Sequence, residues 1–307
     1  MRALVTGGAG FIASHLVDRF IADGHDVVVI DDLSSGVREH INPRARLVVA
    51  DIRRPEAFAA VLAFAPEVLC HHAAQIDVRR SVQSPAFDAD VNLVGLLTVL
   101  EAARQGGALQ HVLFASSGGA MYGEQEVFPA PETHATRPES PYGLAKAVSE
   151  HYLDWYRRFY GITSTSLRYG NVYGPRQNPH GEAGVVAIFC QRILDGKPVT
   201  IFGDGGQTRD YVYVDDVVAA NMLALGKRLD GGFNVGTGQE TSVVRLATTL
   251  LAAAPSPVEV RHEAPRAGEQ RRSVIDPRML VAHGWAPSVT IDEGLSRTFR
   301  WFAGRRR

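Results

Sequence analysis

In 307 residues the chain sets 32 lysines and arginines against 33 aspartates and glutamates, a balance that leaves no basic face for nucleic acid or an anionic membrane and points to a small partner. Its two cysteines, Cys70 and Cys190, are too few for a disulfide framework or a thiolate metal site, as suits a reducing compartment. The length is ample for a buried core, and with neither a leader pattern nor an apolar run long enough to span a bilayer the expectation is a soluble cytoplasmic protein.

Short β-branched runs alternate with helical patterns up to about residue 168: ALVT at 3–6, VVVI at 27–30, LVVA at 47–50, EVLCHH at 67–72, HVLFAS at 111–116 and TSTSLR at 163–168. Strands apolar on both faces and separated by helices predict a parallel sheet covered on each side, the doubly wound α/β class. In the first helix the periodicity sets Phe11, Ile12, His15, Leu16, Arg19 and Phe20 on one side, and Gly24 ends it. After residue 170, glycine and proline punctuate GPRQNPHGEAG and FGDGGQ and the elements shorten. This predicts a first domain of residues 1–168, with a segment of about 207–236 returning to it, and a smaller C-terminal lobe made mainly of 169–307. A last helix begins at Thr290 with Glu293 completing a capping box.

The turn after the first strand reads TGGAGFIA, with Gly8, Gly10 and Ala13 at the G-x-G-x-x-G/A spacing and Gly7 with Gly10 at a G-x-x-G spacing. Glycines let backbone approach a pyrophosphate, and the helix opened by Phe11 and Ile12 points its positive end at that charge. About 20 residues on stands the acid that such a Rossmann-type turn requires, Asp31, with Asp32 beside it. A carboxylate there suits both hydroxyls of an adenosine ribose and repels a 2′-phosphate, so NAD is predicted over NADP; Asp32 fits a solvated turn better. His71 and His72 face opposite ways on their strand with no third ligand nearby, and no metal is predicted.

At 140–146 the chain reads SPYGLAK. Ser140 is an N-cap, Pro141 suits the first helical position, and Tyr142 and Lys146 fall one turn apart on the same face. An ammonium beside a phenol favours phenolate, which makes Tyr142 a candidate general base.

Together with Asp51 in ADIRR, HHAAQIDVRRSV, Asn92 in DVNLVG, SSGGAMYG, LRYGNVYGPRQ, TRDYVYVDDV, FNVGTG and RAGEQRRSV, these motifs give a chain that resembles, over nearly its whole length, the extended short-chain dehydrogenase/reductase family and within it the UDP-galactose 4-epimerases. The resemblance implies NAD as cofactor and a UDP-sugar as substrate. It implies Asp51 and Ile52 near adenine, Ala73, Ala74, Gln75 and Asn92 along the dinucleotide, and Ser116, Tyr142, Lys146 and Tyr169 around the nicotinamide. It further implies that Asn171, Arg209 and Arg266 hold the nucleoside diphosphate, for which guanidinium forks supply both charge and donors, and that Glu269 holds the ribose.

Enzymes of this kind oxidise a sugar alcohol transiently. In a 4-epimerase, Tyr142 would take the 4-hydroxyl proton as hydride leaves C4, and hydride would return to the other face of the turned ketone. Dehydratases and decarboxylases of the family carry carboxylates where this chain, counted back from Tyr122, has Gly119 and Ala120, so elimination lacks its acid and base. Family epimerases place Ser or Thr four residues before the loop tyrosine, a position held here by Gly118. Either Ser117 reaches the catalytic phenol and the sugar in its place, the preferred reading, or a water substitutes. Asn178 stands where uronate epimerases show arginine, which predicts a neutral hexose, while Ser273 leaves room for an N-acetylhexosamine. Another UDP-sugar, uronate and pentose included, and a non-catalytic NAD-binding sensor are the alternative readings. The family pairs through two long helices, here 84–104 and 140–160, which predicts a homodimer.

Overall fold

The computed structural model describes residues 1–180, 184–266 and 270–305. The chain forms two compact units, the first from Met1–Gly123, Thr136–Tyr169 and Val218–Phe233, the second from Glu124–Ala135, Gly170–Val217 and Asn234–Arg307. The segment returning to the first unit is thus Val218–Phe233, shorter than the span of about 207–236 expected. Glu124–Ala135, expected in the first domain, lies in the second. It has no strand pattern of its own, and its backbone finds partners there: Ala130 N–H donates to Val274 O at 2.9 Å and Asp276 N–H to Ala130 O at 2.8 Å.

The first unit runs β1 (Arg2–Thr6), α1 (Phe11–Ala22), β2 (Asp26–Asp31), β3 (Arg46–Val49), α2 (Pro55–Phe64), β4 (Val68–His71), α3 (Val78–Gln83), α4 (Pro85–Ala89), α5 (Gly95–Gln105), β5 (His111–Ser117), α6 (Gly118–Met121), α7 (Pro141–Tyr160) and β6 (Thr163–Tyr169). The strands lie in the order β3-β2-β1-β4-β5-β6, with Gly231–Val235 added at the β6 edge, and β1 to β6 pair in parallel. Chain order reverses beside β1, which makes the strand ends between β1 and β4 the switch point where such sheets bind ligands. Leu4, Val28, Ile30, Leu69, Val112 and Phe114 on one face pack with Ala57, Val61, Leu96, Val99, Leu100, Leu153 and Tyr156 from α2, α5 and α7. Each large side chain buried there contributes about 1.5–3 kcal/mol.

The α1 face differs from the one expected. Ala13, Ser14, Leu16, Val17, Phe20 and Ile21 are buried, while Arg19 is exposed and pairs with Asp23 at 2.9 Å. Val17 and Ile21 supply apolar contact that the expected stripe left out, and they rotate the helix so that Arg19 reaches water. α7 begins as its sequence dictates: Ser140 Oγ accepts from Gly143 N–H at 3.2 Å, and Gly161 ends the helix at φ +69. Between α4 and α5, Asp90–Val94 forms one π-helical turn containing Asn92, a geometry that recurs at functional sites.

In the second unit Asn171–Tyr173 pairs in parallel with Tyr211–Tyr213, and Thr208–Arg209 lies between Thr241–Ser242 and Arg272–Ser273. Helices Val185–Leu194, Val243–Ala252 and Ile291–Gly304 pack on one another, the last capped by Thr290 Oγ1 on Glu293 N–H at 3.3 Å. Among the described residues no helix is long and apolar enough to cross a membrane.

Candidate active site

Gly7 leaves β1 at φ +70, where a Cβ would stand 2.7 Å from the Ala73 nitrogen. At Gly8 a Cβ would meet the Val29 side chain at 2.7 Å, and at Gly10 the Gly7 carbonyl at 3.0 Å. The turn is therefore packed against the loop leaving β4, and only glycine fits it. Gly10 is the N-cap of α1 and brings no side chain to the first-turn N–H groups, so those at Phe11, Ile12 and Ala13 can serve an anion.

Asp31, at the end of β2 and 7% exposed, accepts from Ala9 N–H on Oδ2 and from Leu33 N–H on Oδ1, both at 2.9 Å. Burial raises its carboxyl above the usual range, against the pull of those two bonds. Each oxygen keeps a further lone pair for a ribose hydroxyl. Asp32 is exposed and closes a turn on Ser34. The glycine turn, the uncapped helix end and Asp31 thus fit the pyrophosphate and adenosine ribose of a dinucleotide. Asp51 is bound by Arg53, whose Nε lies 2.9 and 3.1 Å from its two oxygens; those bonds hold its carboxyl below the ordinary range. Ile52 is buried against Gly95. The loop of Ala73, Ala74 and Gln75 is pinned at both ends: Ala73 N–H donates to Thr6 Oγ1 at 3.2 Å, and Gln75 exchanges two bonds with Asn92, at 2.9 and 3.0 Å.

Tyr142 and Lys146 stand one turn apart on α7. Lys146 is 4% exposed; its Nζ donates to Ala115 O at 2.8 Å and lies 4.8 Å from the Phe114 ring centre and 5.7 Å from that of Tyr142. Burial pulls its ammonium down to about 8, opposed by Asp88 and Glu150. Burial pushes the Tyr142 phenol up to about 12, opposed by a hydrogen bond with the Ser117 hydroxyl. Among the protein's own groups desolvation is thus the largest influence on the phenol, and the Ser117 hydroxyl opposes it.

Successive residues at the end of β5 face opposite ways. Ser117 turns to Tyr142, whereas Ser116 Oγ donates to Glu150 Oε1 at 2.6 Å. Glu150 is also paired with Arg168 at 2.7 Å, and Arg168 donates to the Tyr122 hydroxyl at 3.0 Å. Ser116, expected beside the nicotinamide, therefore commits its hydroxyl to a structural ion pair. Gly143 explains how Ser117 reaches Tyr142: a Cβ at 143 would collide with the Ala120 carbonyl, so glycine lets α6, whose N-cap is Ser117, touch the first turn of α7. Tyr169 is buried and bonded to Asn221 Nδ2 at 2.9 Å, with His72 Nε2 at 3.2 Å.

Two groups beside this pair escaped the sequence reading, Asp88 and Glu150. Asp88 is buried and lies four residues before Asn92, to which it is hydrogen-bonded. That i,i+4 relation was the available signal, but nothing in FDADVN separates Asp88 from the exposed Asp90.

The residues that the resemblance gives to the nucleotide-sugar lie in the second unit. Arg209 is the strand partner of Ser273 and donates from Nη1 to Thr208 O at 2.8 Å. Asn171 N–H donates to Asp210 O at 2.7 Å, and the Arg266 guanidinium lies 3.9 Å from the Phe202 ring centre. Asn178 is exposed and closes a turn onto His180 N–H at 2.8 Å. Glu269 lies outside the described residues.

Residues 3–236 match the model of the NAD dependent epimerase/dehydratase family. The chain is 47% identical over 312 residues to a UDP-glucose 4-epimerase of Mycolicibacterium smegmatis, covering 99% of each. Among solved structures it is similar to the UDP-glucose 4-epimerase of Thermus thermophilus in complex with NAD, at 48% identity and a TM-score of 0.94 over 99% of both chains. It is equally similar to that of Thermotoga maritima with UDP-glucose, at 46% identity and a TM-score of 0.94 over 100% of both.

Proposed function

The chain belongs to the NAD dependent epimerase/dehydratase family, and we infer that within it the protein is an NAD-dependent UDP-glucose 4-epimerase. The observation that carries this reading is the Tyr142 ring 5.7 Å from the ammonium of buried Lys146, with the Ser117 hydroxyl favouring the phenolate and Gly119 and Ala120 offering no carboxylate in the adjoining turn. Gly7, Gly8, Gly10 and the first turn of α1 would hold the NAD pyrophosphate, and Asp31 the adenosine ribose. When bound, NAD supplies the hydride acceptor and donor and a positive charge. Tyr142 takes the proton of the sugar 4-hydroxyl and returns it, with Ser117 bridging phenol and sugar oxygen and Lys146 supplying a cation at the phenol. Without an acid or base for the neighbouring carbon, the chemistry is oxidation and return.

Arg209 and Arg266 would hold the UDP diphosphate, with Asn171 beside them and Glu269 on the ribose. Asn178 offers no counter-charge to a C6 carboxylate, which favours a neutral hexose. The test is purified protein given UDP-galactose without added NAD, the products resolved by chromatography, beside a panel of other UDP-sugars. Interconversion with UDP-glucose is expected and should vanish in Tyr142→Phe; no interconversion, or faster turnover of UDP-glucuronate, would overturn the assignment.

A cytoplasmic homodimer accords with two buried free cysteines and with α7, which leaves Leu144, Tyr152 and Phe159 exposed at 54%, 40% and 64%. These positions share one helical face, and an apolar stripe of that kind marks an interaction surface. Light scattering checks it: a monomeric mass would remove the dimer.

A further inference from the structure

Asp88 has no part in the mechanism above, yet it is 1% exposed. Its Oδ1 accepts from Gln75 Nε2 and Asn92 Nδ2, both at 3.0 Å, while its Oδ2 is buried without a hydrogen-bond partner among the described residues. A buried carboxylate left half-satisfied is costly unless an opposite charge stands close. α4 and the π-helical turn after it both pack on α7, and the cation that Asp88 senses there is Lys146. The other groups facing Lys146 are Glu150 on its own helix, Tyr142 one turn before, and His71 and His72 at the end of β4. Burial keeps both histidines neutral, and Glu150 is matched by Arg168. Burial raises the Asp88 carboxyl above its ordinary range, opposed by the Gln75 and Asn92 bonds and by the Lys146 ammonium, which favour the carboxylate.

We propose that Asp88 is a positioning residue acting through Lys146: its carboxylate, fixed by the Gln75 and Asn92 amides, keeps the Lys146 side chain as an ammonium beside Tyr142. The inference rests on the epimerase reading for what that ammonium does in turnover, but not for the charge relation itself. Asp88 favours the charged form of Lys146 and disfavours that of Tyr142. Removing its charge therefore lowers the pH at which each gives up its proton.

The chain has only three lysines, Lys146, Lys197 and Lys227, so NMR of protein labelled at lysine Cε resolves Lys146 directly. In the NAD-loaded protein, Asp88→Asn should lower the Lys146 titration midpoint by about one pH unit, the low end of what a nearby opposite charge commands, with the other two signals as references. Both limbs of the kcat–pH profile should move to lower pH while KM holds within about twofold, a split that separates positioning from loss of binding. Asp88→Ser is made in parallel in case one variant folds poorly. An unchanged Lys146 midpoint overturns the proposal, as does loss of fold in both variants, which would make Asp88 structural. A shifted midpoint in a protein that epimerises no UDP-sugar supports it and overturns the functional reading instead.

Discussion

Ser117→Ala removes the one hydrogen bond that draws the Tyr142 phenol down against burial. A hydrogen bond to a charged group contributes about 1.5–3 kcal/mol, and with a factor of ten for each 1.36 kcal/mol of barrier this predicts a fall in kcat of roughly 10- to 150-fold if Ser117 only stabilises the phenolate. If the hydroxyl also passes the proton, the loss should reach about 10²- to 10⁴-fold. The pH dependence separates the cases by sign. Losing the bond raises the Tyr142 pKa further, so the part of the kcat–pH profile that belongs to Tyr142 moves to higher pH, while the part that belongs to Lys146, at about 8, stays in place. The assay is UDP-galactose conversion from below pH 6 to above pH 9, with NAD retention measured alongside. Ser116→Ala is the control: its hydroxyl serves Glu150 at 2.6 Å, so turnover should stay near normal. Near-normal kcat with an unmoved pH profile in Ser117→Ala would refute the reasoning and leave water or Tyr142 acting directly as the proton's route.

Asp31→Ser should relax the preference for NAD over NADP, because the repelling carboxylate is gone; calorimetry on stripped protein checks it, and equal affinity of the unmutated protein for both would refute the premise. Gly143→Ala gains at most about 1 kcal/mol of helix propensity but drives a methyl into the Ala120 carbonyl, which costs about 1–3 kcal/mol. A net loss in urea unfolding, together with a lower kcat as α6 and Ser117 are displaced, is expected, and unchanged kcat would show that this contact does not set the Ser117–Tyr142 geometry. Arg168→Met leaves Glu150 unpaired in a site where both side chains are under 15% exposed, so a loss of about 3–5 kcal/mol is expected in the same titration; a loss below about 1 kcal/mol would mean that Ser116 and water suffice for Glu150.

What could be read from sequence was whatever depended on a fixed period or a steric necessity. Six of the sheet's seven strands fall within one or two residues of the β-branched runs, and β1, β2, β4 and β5 read as apolar because both their faces are buried. Ser140, Pro141 and Gly161 bound α7 as their chemistry requires. The α1 face was misjudged because Arg19 and Val17 both sit within a broad apolar arc and only packing against the sheet chooses between them. The role of Glu124–Ala135 was hidden because that stretch is held by bonds to residues more than a hundred positions away, such as Asn234 Nδ2 on Ala130 O at 3.0 Å. Ser116 and Ser117 were inseparable as adjacent letters; which one meets Tyr142 depends on the strand's facing and on the contact that Gly143 permits.

One compositional signal bears on the catalytic pair more directly than Tyr-x-x-x-Lys does. All but three of the chain's 32 lysines and arginines are arginine, and one of the three lysines is buried at position 146. A guanidinium cannot give up its proton and would demand a fork of acceptors, whereas an amine is compact and its charge can be tuned by burial. α7 carries both solutions to burying a cation. Arg168 meets Glu150 in a closed ion pair that also ties down Ser116 and Tyr122, while Lys146 donates to the neutral Ala115 carbonyl, with Asp88 favouring its charge. The two pairs sum to no net charge, so the cluster can be buried without a large penalty. Tyr142 is then the member whose ionisation unbalances it, and the Ser117 bond, with the ammonium free of a direct carboxylate contact, is what the chain itself provides to stabilise that change.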